Sequence, residues 1–210
     1  MKYVEGQFVC LPQLLNLNEL NVKYTDILVY VALRSFDGSE GCFPSYESIA
    51  ERAKCSRSFV VQAVKRLEAA KLITVQRSKK KFNIEKTPVN KYEFTEYYMF
   101  ERIPYSFFDL ELNLHDKAML LNLRQFFQMG AITPFYKIKD LANKLGLSYK
   151  VIHQRVKSLI SKGYMAHVER KPNRDITYYR YEFTDKFKWI YGYQRGSVTK
   201  EVKNTVLRVS

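Results

Sequence analysis

A chain of 210 residues, 46% hydrophobic and 27% charged, carries enough apolar side chains for one large core or two small ones, which excludes general disorder. Lysine and arginine number 35 against 21 acids, a formal net charge of +14, and that balance points to an anionic partner, nucleic acid ahead of a membrane surface. No apolar run approaches the roughly 18 residues of a spanning helix, no secretory leader pattern opens the chain, and Cys10, Cys42 and Cys55 show no CxxC spacing, so a reducing, cytoplasmic setting without disulfides, metal or membrane is expected.

The first twenty residues form an arm with Phe8, Leu11, Leu14, Leu15, Leu17 and Leu20, suited to core packing or to self-association. A helix follows, with Ile27, Tyr30 and Val31 at helical spacing and Thr25 as the expected N-cap. Gly38 and Gly41 break it. Ser45 opens a short second helix carrying Ile49 and Ala53. The bend Lys54-Cys55 leads to Ser56, the cap of a third helix with Val60, Val64 and Leu67 on one face. The period then changes to two, with Ile73 and Val75 alternating with Thr74 and Gln76. After a lysine-rich turn, Tyr92 and Phe94 alternate in a returning strand.

The same order then repeats. Asn113 and Asp116 cap a helix bearing Met119, Leu123 and Phe126, with Gly130 as its expected end. Ile138, Leu141, Ala142 and Leu145 line the next helix. Gly146-Leu147-Ser148 is the turn, and Ile152, Val156 and Leu159 form the core face of the helix after it, which Gly163 stops. A turn containing Lys171-Pro172-Asn173-Arg174-Asp175 precedes a strand with Tyr179, Tyr181 and Phe183. The copies align residue by residue: Ile49-Ala50 with Leu141-Ala142, Ser56 with Ser148, and Gln62-Ala63-Val64-Lys65-Arg66-Leu67 with Gln154-Arg155-Val156-Lys157-Ser158-Leu159, all 92 apart. Lys91-Tyr92-Glu93-Phe94-Thr95-Glu96 returns as Arg180-Tyr181-Glu182-Phe183-Thr184-Asp185, 89 apart. The chain therefore divides into units 1–100 and 101–185, followed by a basic, aromatic tail 186–210 that docks on its own domain or on a second subunit. The second half (residues 101–210) holds 20 basic and 10 acidic residues, the first 15 and 11, so the second is expected to supply more electrostatic attraction.

Three helices followed by a hairpin give a mainly α fold with small β-hairpins, of α+β class. The segments from Phe43-Pro44-Ser45 to Leu72-Ile73 and from Ile138-Lys139-Asp140 to Tyr164-Met165 resemble the helix-turn-helix of phage and plasmid replication proteins and related regulators. The resemblance implies two tandem winged-helix domains and a double-stranded-DNA-binding protein acting in replication initiation or its control.

In such a motif the second helix enters the major groove. Its outward residues here are Arg57, Ser58, Val61, Gln62 and Lys65 in the first unit, and Tyr149, Lys150, His153, Gln154 and Lys157 in the second. Gln suits adenine, and Arg or Lys suits guanine, each good bidentate pair contributing about 1–3 kcal/mol of discrimination. The wings offer Lys79, Lys80 and Lys81, then Lys171, Asn173 and Arg174, for phosphate contact. A bland reading of both sets is a solvated polar face.

Catalytic motifs are missing: no GxxxxGK[ST] stretch occurs, and His115, His153 and His167 lie too far apart for a short metal motif. No catalytic residue, cofactor or metal is expected. Cys55 precedes a helix cap, which could lower its pKa, but its counterpart is Leu147, which favours turn packing. The competing functions are a transcriptional regulator using the same surface and a winged-helix module that binds protein.

Overall fold

The computed structural model describes residues 6–13, 15–77, 90–126, 138–173 and 176–190, without the side chains of 138, 168–173 and 176–180. A strand β1 (Phe8–Pro12) comes first, then helices α1 (Asp26–Arg34), α2 (Tyr46–Ala53) and α3 (Arg57–Ala69), then strands β2 (Ile73–Gln76) and β3 (Lys91–Phe94). Strand β4 (Phe100–Pro104) and a 3-10 turn, Tyr105–Asp109, open the second series. It continues with α4 (Leu114–Arg124), α5 (Ile138–Leu145), α6 (Tyr149–Ser161), β5 (Met165–Asn173) and β6 (Ile176–Phe183). The described residues thus form an α+β protein with six α-helices and three two-stranded antiparallel sheets, β1-β4, β2-β3 and β5-β6.

Local chemistry sets the helix starts. The side chains of Ser45, Ser56, Asn113 and Ser148 each accept a hydrogen bond from the backbone amide three residues on, of Ser48, Phe59, Asp116 and Val151. This satisfies a donor that the first helical turn leaves open. Thr25 does not act this way: its backbone is already helical and its side chain makes no capping bond. The Asp26 carboxylate serves that helix end instead, accepting from Lys23 N at 2.9 Å. The helix ends repeat as well. Lys54 (φ 52°) and Gly146 (φ 62°) make the left-handed turn before α3 and α6, and Lys71 (φ 57°) and Gly163 (φ 76°) make the one after them. Lysine bears a strain at these positions that glycine avoids. Helix α4 stops at Arg124, short of Gly130, which lies outside the described residues.

Helices α1 and α4 form the centre. Residues Asp26–Leu33 of α1 and Asp116–Arg124 of α4 are all buried, the charged Asp26, Asp116, Lys117 and Arg124 among them. Each packs on the third helix of its own unit, and the two pack on each other. Asn122 of α4 ties the junction, its Nδ2 donating to Tyr24 O at 2.9 Å and to Ala118 O at 2.7 Å. Tyr24 Oη also lies 2.7 Å from His115 Nδ1.

The arm is part of this core: Leu11 and Leu17 are fully buried and Leu15 nearly so, while Leu14 lies outside the described residues. Its strand β1 pairs with β4 from the other half, Phe8 opposite Pro104 and Pro12 opposite Phe100. A division between residues 100 and 101 therefore falls inside β4.

Candidate nucleic-acid interface

The α2-turn-α3 segment presents one polar surface because its opposite side is fixed. Ile49 and Ala53 of α2 and Val60, Val64 and Leu67 of α3 are buried, which turns Arg57, Ser58, Gln62 and Lys65 into solvent and leaves Val61 half-buried among them. Val61 is thus an apolar contact flanked by hydrogen-bonding groups, a combination that suits a thymine methyl beside polar base edges. Arg57 is already engaged: its Nε donates to Glu47 Oε1 of α2, and its guanidinium lies 5.7 Å from the Tyr46 ring centroid. The backbone amide of Glu47 and the Arg57 guanidinium hold the Glu47 carboxyl below its usual range. Any anion or base edge approaching the Arg57 guanidinium meets this exposed carboxylate first.

The α5-turn-α6 segment repeats the geometry with different chemistry. Leu141, Ala142 and Leu145 of α5 and Ile152, Val156 and Leu159 of α6 are buried. Tyr149, Lys150, Gln154 and Lys157 are exposed and His153 is half-buried. The Tyr149 and His153 rings stack, centroids 5.8 Å apart at 17°. Where α3 offers an ion-paired arginine, α6 offers an aromatic pair at its first turn. Helix α6 carries no acidic residue, and Lys139 stands where Glu47 stands in the first unit.

Both α3 and α6 are anchored from behind by a buried carboxylate at the start of the central helix of their unit. Asp26 is fully buried and takes Arg66 of α3 in a two-pronged pair, Nε at 2.7 Å and Nη2 at 2.8 Å. Asp116 holds α6 with a composite set: Ser158 Oγ at 2.7 Å, Lys162 Nζ at 2.5 Å and Arg155 Nη1 at 3.6 Å. Ser158 occupies the place of Arg66, and Lys162, one turn on, supplies the charge. Burial pushes the Asp116 carboxyl up, but the hydrogen bonds from Lys162 and Ser158 and the nearby Arg155 charge outweigh it and hold the group below its ordinary value.

The wing assignments divide. Lys79, Lys80, Lys81 and Arg174 lie outside the described residues. Lys171 and Asn173 are not in a turn, because β5 runs through Asn173, which pairs with Ile176. In the described part of the β2-β3 hairpin Thr74 and Gln76 of β2 are exposed, and Arg77 just after it is tied to Glu68 of α3. His167 of β5 sits 5.1 Å from Tyr181 of β6, ring to ring.

Of the tail, Phe187 and Trp189 are buried, with Phe107 5.9 Å from each ring, and the Arg124 guanidinium lies 5.6 Å from the Trp189 ring. This stretch docks on its own chain. Residues 191–210 lie outside the described residues. The Cys55 thiol is pushed up to about 11 by burial, the reverse of an activated thiol, so it packs the turn as Leu147 does in the other unit.

The groups missed at the sequence level lie behind the exposed ones: Tyr46 and Glu47 against Arg57, and Asp26 and Asp116 behind α3 and α6. Their spacing along the chain carries no signal, since Asp26 and Arg66 lie 40 residues apart.

Among known families, a helix-turn-helix domain matches residues 20–73, and a DnaD N-terminal domain matches residues 99–201. No curated protein and no solved structure matches the chain. The helix-turn-helix match covers the α2-turn-α3 segment and supports DNA as the partner. No helix among the described residues is long and apolar enough to cross a membrane.

Proposed function

We propose that this chain is a non-catalytic, sequence-specific double-stranded-DNA-binding protein built from two tandem winged-helix units. It acts in the cytoplasm, in replication initiation or its control, for a plasmid, a phage or another mobile element. One observation carries the reading: α3 and α6 are held by the same capped, left-handed turns with their apolar sides buried and Gln62, Lys65, Gln154 and Lys157 turned outward at equivalent places. Such a face has the hydrogen-bonding groups that major-groove readout needs. The match to a helix-turn-helix domain supports DNA binding, and the match to a DnaD N-terminal domain supports the replication-related role.

The test is selection of fragments from a source-genome duplex library at about 0.15 M salt, where weak surface electrostatics are screened. Several tandem copies of one sequence near an origin are expected. A single site beside a promoter makes the chain a transcriptional regulator instead. Absence of any enriched sequence overturns specific duplex recognition.

A further inference from the structure

The two units meet through an interface with the form of a homodimer contact. Strands β1 and β4 occupy equivalent places, 92 residues apart, and pair antiparallel in a self-complementary register: Phe8 with Pro104, Cys10 with Arg102, Pro12 with Phe100. Moving the first member of each pair forward by 92 and the second back by 92 returns the same set of pairs.

Each arm also reaches the other unit, through contacts of different chemistry. Leu15 N of the first arm donates to Gln125 Oε1 at the end of α4 (3.3 Å), and Tyr105 Oη of the second arm donates to Ser35 O at the end of α1 (2.9 Å). Asn18 N donates to Lys144 O in α5 (3.0 Å), and Phe108 lies under the guanidinium of Arg52 in α2, 5.5 Å away. Positions 52 and 144 are equivalent at the same shift, and 35 and 125 each close their unit's central helix. A strand pairing that maps onto itself when its two members are exchanged is isologous and implies a two-fold axis. Here the axis is local to one chain, between β1 and β4 and between α1 and α4.

Resting on the reading above that α3 and α6 both bind duplex DNA, we infer that one molecule reads one site as an imperfect inverted repeat. A two-fold rotation carries α3 onto α6 with its direction reversed across the axis. Any duplex that both helices touch is therefore met in opposite senses, as two-fold proteins meet palindromes. Units related by translation would need a direct repeat.

The reading positions specify the imperfection. Gln62 and Gln154 are equivalent and identical, as are Lys65 and Lys157, so the bases they reach match across the site. Arg57 is replaced by Tyr149, Ser58 by Lys150 and Val61 by His153, so the two halves differ at the bases those positions reach.

The test selects from a fully randomised duplex library with the full chain and with the triple variant Tyr149→Arg/Lys150→Ser/His153→Val, in which α6 copies the reading positions of α3. The converse variant, Arg57→Tyr/Ser58→Lys/Val61→His, is run beside it, and circular dichroism melting checks that each folds. The native chain is expected to enrich two unlike halves in inverted orientation. Each variant is expected to prefer a perfect inverted repeat, by about tenfold or more over the native site, the equivalent of one good base contact. Two halves in direct orientation, enrichment of a single half, or variants that keep the native preference would overturn the inference while leaving sequence-specific binding intact. No enriched sequence at all for the native chain would overturn both readings together.

Discussion

Lys117 is the clearest anomaly at the residue scale. It is 1% exposed within α4, and its Nζ donates to Phe108 O at 3.0 Å. Burial pulls its pKa down to about 8, helped by Lys54 and opposed by Asp109. Between about 8 and the ordinary value of 10.5 the folded state binds fewer protons than the unfolded one, so stability rises with pH across that window. Lys117→Met is expected to raise stability at pH 7 by about 1–3 kcal/mol and to abolish that rise, measured by urea melts from pH 7 to 10.5. The two buried carboxylates make a second contrast. Arg66→Met strips Asp26 of a two-pronged partner and is expected to cost about 3 kcal/mol. Lys162→Met leaves Ser158 and Arg155 on Asp116 and is expected to cost about 1 kcal/mol. Equal losses in thermal melts would contradict the difference in geometry. These buried charges were not legible in the sequence, because no local pattern marks Asp26 or Lys117 as buried and their partners lie far along the chain or on the backbone.

Elements were more legible, and unevenly so. Ser45, Ser56 and Ser148 announced their helices because a cap acts over three residues and leaves a local pattern. The buried faces of α3 and α6 followed from helical spacing. Thr25 makes no cap because its own backbone is already helical, while the Asp26 carboxylate beside it accepts from Lys23 N, upstream of the helix, and from Arg66. Strand β4 was missed because its partner lies about 90 residues away and Phe-Glu-Arg-Ile-Pro has no local strand signature. At this scale the reading helices make a prediction about salt. Lys65→Ala and Lys157→Ala each remove a positive charge from the proposed base-facing surface, and should each reduce the slope of log affinity against log salt by up to about 1 as well as relax base preference. Gln62→Ala and Gln154→Ala should leave that slope unchanged and relax base preference by about 1–3 kcal/mol at one position each. Fluorescence anisotropy across a salt series separates the two behaviours.

At the scale of the whole molecule the repeat was legible and the junction was not. Repetition shows in sequence because equivalent residues serve equivalent roles, but nothing in it states how the copies meet. The structure answers with α1 against α4, β1 against β4 and the crossed arms. A unit cut at residue 100 loses β4 and the partner of its buried arm. Ile103, fully buried in β4, tests the same dependence within the intact chain. Ile103→Ala is expected to destabilise by about 2–4 kcal/mol. A probe at Trp189 in the second half and far-ultraviolet dichroism of the whole should still report one coincident transition. Two separated transitions would mean that the halves fold independently.

The crossed arms also bear on dosage. A repressor or initiator assembled from separate subunits must first find its partner, so its occupancy of a site rises steeply once a threshold concentration is passed. Here the equivalent contact is covalently guaranteed, with the arm of each half already seated on the other. Titration of a single site is then expected to follow a simple hyperbola with a Hill coefficient of about 1, even at nanomolar protein. A cell holding a few copies would answer each added molecule in proportion, a graded counter in place of a switch.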